Sequence, residues 1–133
     1  MNSYSKVLLR FAALFGLFGA FLGSHMAGAG SIAFKSVHAH ILVVGWLTLF
    51  AWAAFYKLFY TKKSMLATIH VATAIIGAVG LTVGMWLYYV RPFDMPDAVN
   101  TVFFIVGGSI MLLSFVLFAI IAFLTNEQDN PSH

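Results

Sequence analysis

Residues 37–60 read VHAHILVVGWLTLFAWAAFYKLFY. The run is apolar almost throughout, and about 20 such residues in a helix cross the ~30 Å hydrocarbon core of a bilayer. Two histidines, His38 and His40, stand near its start, and Lys57 stands near its end. The stretch therefore predicts a membrane-spanning helix that carries imidazole groups close to one membrane surface.

Three further apolar runs of similar length lie outside this one, at residues 7–29, 65–90 and 99–125. The connections are short, and the last contains Pro92 and Pro96, which cannot continue a helix. Short connections make sequential helices antiparallel neighbours. The sequence thus predicts an all-α fold, a single integral membrane four-helix bundle over residues 1–126, followed by a polar tail at 127–133.

The composition excludes several classes of protein. Of the 133 residues, 62% are hydrophobic and 8% are charged, whereas soluble domains average roughly 25% charged residues. A soluble enzyme or a DNA-binding domain of this size needs more polar surface than these residues supply. The chain contains no cysteine, which excludes disulfides, thiolate metal sites, iron–sulfur clusters and covalently attached haem c.

Basic residues are distributed unevenly between the two ends of the predicted bundle. One end carries Lys6, Arg10, Lys57, Lys62 and Lys63, and the other carries Lys35 and Arg91. Because cytoplasmic segments are enriched in Lys and Arg, this distribution predicts that both termini are cytoplasmic. We expect a bacterial inner membrane protein.

Small and aromatic residues predict where the helices pack and where they meet the membrane surface. Glycines recur on one face of the first helix and on one face of the third: Gly16, Gly19, Gly23, Gly77, Gly80 and Gly84. Such faces allow close helix contacts, and we favour packing within the bundle over a dimerisation motif. Tyr56 and Tyr60 end the second span, so we expect them in an interfacial aromatic belt.

Four histidines lie inside the predicted spans, where an ionisable side chain is costly and indicates function. With a rise of ~1.5 Å per residue, His25, His38 and His40 all lie roughly 4–8 Å below the same membrane surface. His70 enters from the other surface, some 20–25 Å deeper. We therefore expect the first three to share a site, whereas His70 has two open roles, helping a proton to enter or bonding a neighbouring helix.

The spacing of His38 and His40 limits what they can bind. Residues two apart on a helix point about 200° from each other, so the pair cannot chelate one metal from one face. The arrangement suits a flat cofactor between helices, with an axial imidazole on each side, and haem b is the predicted group. Lys35 and Arg91 lie at the same end, where haem propionates need cations, although Arg91 is equally suited to setting topology or pairing with Asp94.

The sequence His38-Ala39-His40-Ile41-Leu42-Val43-Val44-Gly45-Trp46, continuing to Tyr56, resembles subunit I of the haem–copper oxidases. That family includes the cbb3-type cytochrome c oxidases and the nitric oxide reductases. In it, a His-x-His pair at the outer end of helix X serves two haems, one on each face. The resemblance implies haem ligation by His38 and His40, and a propionate-binding role for Arg91.

The same resemblance implies an oligomer. The family's subunit has at least twelve helices, arranged as three arcs of four around a pseudo-threefold axis, whereas this chain has four predicted helices. A homotrimer reproduces that arrangement, with one haem between His38 of one protomer and His40 of its neighbour. The family's copper centre needs further histidines, and this chain has no His-His pair to supply them.

The residues leave three functions open. The first is a haem b protein for electron transfer or for binding a diatomic gas, in which His25 is either a ligand or a supporting residue; any catalysis would be that of an oxidoreductase. The second is a copper- or zinc-binding protein that uses His25, His40 and Met26. The third is a structural accessory subunit, whose histidines bond neighbouring helices.

Overall fold

A computed structural model describes residues 2–29, 34–60 and 62–125. Its helices are α1 (Ser3–Ala29), α2 (Lys35–His40), a π-helical segment (Ile41–Thr48), α3 (Leu49–Leu58), α4 (Met65–Tyr89) and α5 (Asp97–Leu124). Together α2, the π segment and α3 form one continuous span. Across the described residues the regular structure is helical, and four spans are long and apolar enough to cross a membrane. The predicted tail at 127–133 lies outside the described residues.

Most helices begin slightly earlier than hydropathy predicts, because the first turns carry polar or capping residues that apolar scanning leaves out. Helix α1 begins at Ser3, the second span at Lys35 and α5 at Asp97. Helix α4 starts where expected, since Ser64 accepts a hydrogen bond from the backbone nitrogen of Ala67 at 3.1 Å and caps the helix.

Glycines set the two closest helix pairs. On α1, Gly16, Gly19 and Gly23 face the side chains of the second span, and on α4, Gly77 and Gly84 face the backbone of α5. The absence of Cβ atoms lets the helices approach closely, which strengthens van der Waals contact in a lipid environment. Both predicted glycine faces are therefore used for packing within the chain.

The two helix pairs are joined mainly through large aromatic side chains. The ring centroid of Trp52 in α3 lies 4.6 Å from that of His70 in α4. The same ring lies 4.9 Å from Phe115 and 5.4 Å from Phe118 in α5. This contact lies toward the end of the bundle that carries the N-terminus, because Ser5 in α1 donates a hydrogen bond to the carbonyl of Ala53 in α3. We refer to this end as the N-terminal end and to the opposite end as the His38 end.

The π-helical segment follows His40 directly and was not predicted. Thr48 donates its hydroxyl hydrogen to the carbonyl of Val43, five residues earlier, at 2.7 Å. Beside it, Gly45 is buried and receives the ring of Phe15 from α1. The wider turn and the missing Cβ together allow this close contact, and π segments of this kind are frequent near functional sites.

Helix α4 ends in a left-handed residue. Arg91 has a φ of 52°, a conformation that closes many helices but is usually adopted by glycine. Pro92 follows and, as expected, does not continue the helix. The turn leads to α5 after Pro96, so α4 and α5 form an antiparallel pair.

Candidate functional site

His38 lies between α2 and α1. Its ring contacts Gly23, where a Cβ would lie 2.8 Å from His38 Cε1. The Nδ1 atom of His38 is buried and has no hydrogen-bond partner in the described part of the chain. The ring is therefore held by packing, and its buried Nδ1 is left without a hydrogen bond in the described part of the chain.

His40 is anchored differently. Its Nδ1 lies 3.0 Å from the carbonyl oxygen of Ser36, one turn earlier on the same helix. Because a carbonyl oxygen can only accept, Nδ1 must carry the proton, and Nε2 then carries the free electron pair of the neutral ring. A backbone bond of this type fixes the tautomer and ring direction of many metal-binding histidines. His40 thus presents Nε2 as an electron-pair donor.

The three histidines predicted to share a site lie at the same end of the bundle, but they do not form one group in the described residues. His25 is an exposed residue of α1, two residues after the glycine that contacts His38, so both imidazoles lie at the His38 end. Its ring stands edge-on to Phe34 with centroids 6.4 Å apart. Within residues 2–29, 34–60 and 62–125, no three His, Cys, Asp or Glu side chains assemble into a group that could hold a metal ion.

The two predicted propionate-binding cations lie at the same end. Lys35 is exposed and is the first residue of α2. Arg91 forms a salt bridge with Asp97, with Nη1 and Oδ1 2.8 Å apart. This salt bridge stands in place of the pairing with Asp94 that was one of the roles considered for Arg91. The bridge is open to solvent, with the side chains of Arg91 and Asp97 55% and 74% exposed.

A second cluster surrounds His70 near the N-terminal end. The Tyr56 hydroxyl oxygen lies 2.7 Å from His70 Nδ1, and both residues are fully buried. Tyr60 is also buried. The prediction of an interfacial belt for Tyr56 and Tyr60 is therefore wrong, because both side chains point into the bundle. Of the two roles considered for His70, bonding to a neighbouring helix is present in the structure.

The distance between the two clusters follows from the fold. His38 contacts α1 at Gly23, whereas the His70 cluster lies at the level of Ser5, which bonds to α3 beside Trp52. Eighteen residues of helix correspond to roughly 27 Å along the axis. The two clusters therefore act as separate sites.

A cavity of about 450 Å³ lies between α1, the second span and α4. It is apolar, and its lining consists of Phe11, Leu14, Phe15, Phe18, Phe21, Leu22, Phe34, Val37, Ile41, Val79, Thr82, Val83 and Trp86. Among the described residues no histidine lines it. The imidazole groups of His38 and His40 consequently do not line this cavity, which is open at the surface of the bundle.

Comparisons with known protein families, with characterised proteins and with solved structures find no match to this chain.

Proposed function

We propose that this chain is a haem b-binding membrane protein in which histidines at the His38 end hold the haem iron. The observation that carries the proposal is the state of His40, whose Nδ1 bonds to the Ser36 carbonyl and leaves Nε2 as an electron-pair donor. An ionisable side chain on a membrane-spanning helix is costly and by default indicates a functional site. Iron in a porphyrin accepts such a donor.

The two ligands come from different protomers in this proposal. His38 and His40 are two residues apart on α2, and their rings have different surroundings. The ring of His38 packs against Gly23, whereas the ring of His40 is hydrogen-bonded to the backbone of its own helix. Such a pair reaches two cofactors more readily than one. The cavity has no histidine in the lining described above. These features would suit a haem held between neighbouring copies by His38 of one copy and His40 of the next, and the homotrimer is what the resemblance to the oxidase subunit implies.

The residues present fit this group chemically. Imidazole nitrogens bind haem iron, and Lys35 and Arg91 at the same end offer positive charges to the propionates. When bound, haem supplies one-electron exchange between ferric and ferrous iron. The chain's part is to orient the ligands: the Ser36 carbonyl fixes the ring of His40, and Gly23 fixes the depth of His38. Two histidine ligands favour electron transfer over gas binding. Both termini are assigned to the cytoplasmic side of a bacterial inner membrane.

Absorption spectroscopy of the purified protein tests this proposal. Wild-type protein from haem-supplied cells is expected to show a Soret band and sharp low-spin bands in the reduced-minus-oxidised spectrum. His38→Ala and His40→Ala are each expected to lose the low-spin bands, and His25→Ala is expected to keep them. Colourless wild-type protein that contains no porphyrin, and that gains none on haem titration, would contradict the proposal.

A further inference from the structure

His70 has an unusual environment for a membrane-buried imidazole. Nδ1 faces the Tyr56 hydroxyl at 2.7 Å, whereas Nε2 is buried and has no hydrogen-bond partner in the described residues. The rings of Trp52 and Phe118 lie 4.6 Å and 5.7 Å from the imidazole centroid. The imidazole is therefore enclosed by aromatic side chains from α3 and α5.

The Tyr56 hydroxyl can serve His70 in both protonation states. It donates its hydrogen to Nδ1 of a neutral ring that carries its proton on Nε2. When the ring is an imidazolium, Nδ1–H donates instead and the hydroxyl oxygen accepts. A hydroxyl that exchanges these roles keeps Nδ1 hydrogen-bonded in each state.

Hydroxyl groups continue from this pair toward the N-terminal end. The Tyr4 hydroxyl lies 2.7 Å from Thr68 Oγ1, and Tyr60 lies 2.7 Å from Ser64 Oγ. The rings of Tyr4 and Tyr60 are 5.3 Å and 5.6 Å from the ring of Tyr56. Thr68 is exposed. Hydroxyl-bearing side chains therefore lie between the exposed Thr68 and the Tyr56–His70 pair, and Tyr4 and Tyr60 meet Tyr56 through ring contacts.

We propose that His70 and Tyr56 form a buried proton-accepting site that is reached from the N-terminal end of the bundle. A proton arrives at the Tyr56 oxygen as the phenolic proton moves to His70 Nδ1. The products are an imidazolium and an unchanged tyrosine, so no electron is transferred and no other reactant is needed. The site takes only a proton, and it does not depend on haem binding at the His38 end.

Among the described residues, the titratable side chains that contact His70 or Tyr56 are tyrosines. Helix α3 contributes Tyr56, which contacts His70 directly, and Tyr60, which contacts Tyr56; helix α1 contributes Tyr4. Helix α5 contributes the apolar ring of Phe118. The Lys62 ammonium lies 6.0 Å from the centroid of the Tyr60 ring, and Tyr60 in turn contacts Tyr56. The group that can accept a hydrogen bond from a protonated His70 ring is the Tyr56 oxygen.

The test is a pH titration of ¹⁵N-histidine-labelled full-length protein in lipid nanodiscs, followed by NMR. The His70 signals are those that disappear in His70→Gln. We expect them to change reversibly from a singly to a doubly protonated ring while the protein stays folded. Tyr56→Phe removes the oxygen that accepts from the cation, and we expect the titration midpoint to fall by about one pH unit, a roughly tenfold loss of proton affinity. Tyr60→Phe is the matched control, since its hydroxyl bonds to Ser64, and its midpoint is expected to stay in place.

The wild-type titration decides the matter even where Tyr56→Phe fails to fold. A His70 ring that stays singly protonated until the protein unfolds would overturn the proposal. The route is tested separately by the rate at which the His70 signals respond to a rapid drop in pH. Thr68→Val is expected to slow this response without moving the midpoint. Thr73→Val, which removes only bonds to carbonyls of its own helix, is expected to leave the rate unchanged; equal rates in all three proteins would refute the proposed route.

Discussion

His38 and Gly23 are in direct contact, and a Cβ atom at residue 23 would lie only 2.8 Å from His38 Cε1. The contact fixes the depth of the imidazole relative to α1, because Nδ1 of His38 has no hydrogen bond in the described part of the chain to do so. The position of this histidine therefore depends on a glycine in another helix.

Gly23→Ala is expected to displace the His38 ring and to lower the amount of haem bound per protein. The added methyl group meets the ring at a distance that real side chains do not tolerate, so the imidazole must move by several tenths of an ångström. Axial ligation is sensitive to displacements of this size. The measurement is the Soret absorbance per mole of purified protein.

Gly108→Ala is the control for this experiment, because its Cβ would meet Leu81 Cδ1 at an ordinary 3.5 Å. It is expected to bind as much haem as the wild type. Equal haem content in Gly23→Ala and Gly108→Ala would show that the position of His38 does not matter for binding.

Co-expression of two variants that each lack one haem ligand tests the proposed sharing of haem between protomers. His38→Ala retains His40, and His40→Ala retains His38. A mixed oligomer therefore regains a complete ligand pair wherever a copy that retains His38 is followed by a copy that retains His40. Random assembly of equal amounts restores roughly one quarter of the sites in a closed ring of identical interfaces. The measurement is the low-spin absorbance after co-expression, compared with each variant expressed alone. Ligand pairs formed within one protomer would instead give no recovery on mixing.

Variants of Arg91 and Asp97 can separate two contributions of Arg91, that of its charge to haem binding and that of its salt bridge to stability. Because both side chains are largely exposed, Asp97→Asn is expected to change the free energy of unfolding by no more than about 0.5 kcal/mol. The substitution also frees Arg91 for a propionate, so haem affinity is expected to stay the same or to rise.

Arg91→Gln is expected to weaken haem binding roughly fivefold, which corresponds to about 1 kcal/mol for an exposed ionic contact. Haem titration of the apoprotein measures the affinity of both variants. A parallel loss of affinity in Asp97→Asn and Arg91→Gln would indicate that the turn, and not the charge of Arg91, supports the site.

Sequence patterns were sufficient for the four spans and for the glycine faces, because both depend on regular spacing along a helix. The same reasoning placed His25 and His38 at one end and His70 at the other, and the contacts at Gly23 and Ser5 agree with it. Haem binding and the trimer stay predictions, since they concern a ligand and further copies of the chain.

Other features depend on which helix faces which, and this is not encoded in local spacing. Tyr56 has the position of an interfacial tyrosine in the sequence, yet it is buried because α4 brings His70 to its hydroxyl. The π segment arises where Phe15 of another helix meets Gly45. Arg91, whose backbone is left-handed, pairs with Asp97 and not with Asp94. Each of these required the tertiary arrangement.

The tight contact between α4 and α5 gives a prediction that is independent of any cofactor. A Cβ on Gly77 would lie 2.7 Å from both the Cα and the backbone nitrogen of Met111, and a backbone cannot move aside as a flexible side chain can. Gly77→Ala is therefore expected to lower the free energy of unfolding by about 1–3 kcal/mol, as overpacked substitutions do. Gly108→Ala in the facing helix gains helix propensity without a clash, and we expect it to be neutral or slightly stabilising. Unfolding by a denaturing detergent, monitored by circular dichroism, measures both; equal stability of the two variants would mean that α4 and α5 are farther apart than described.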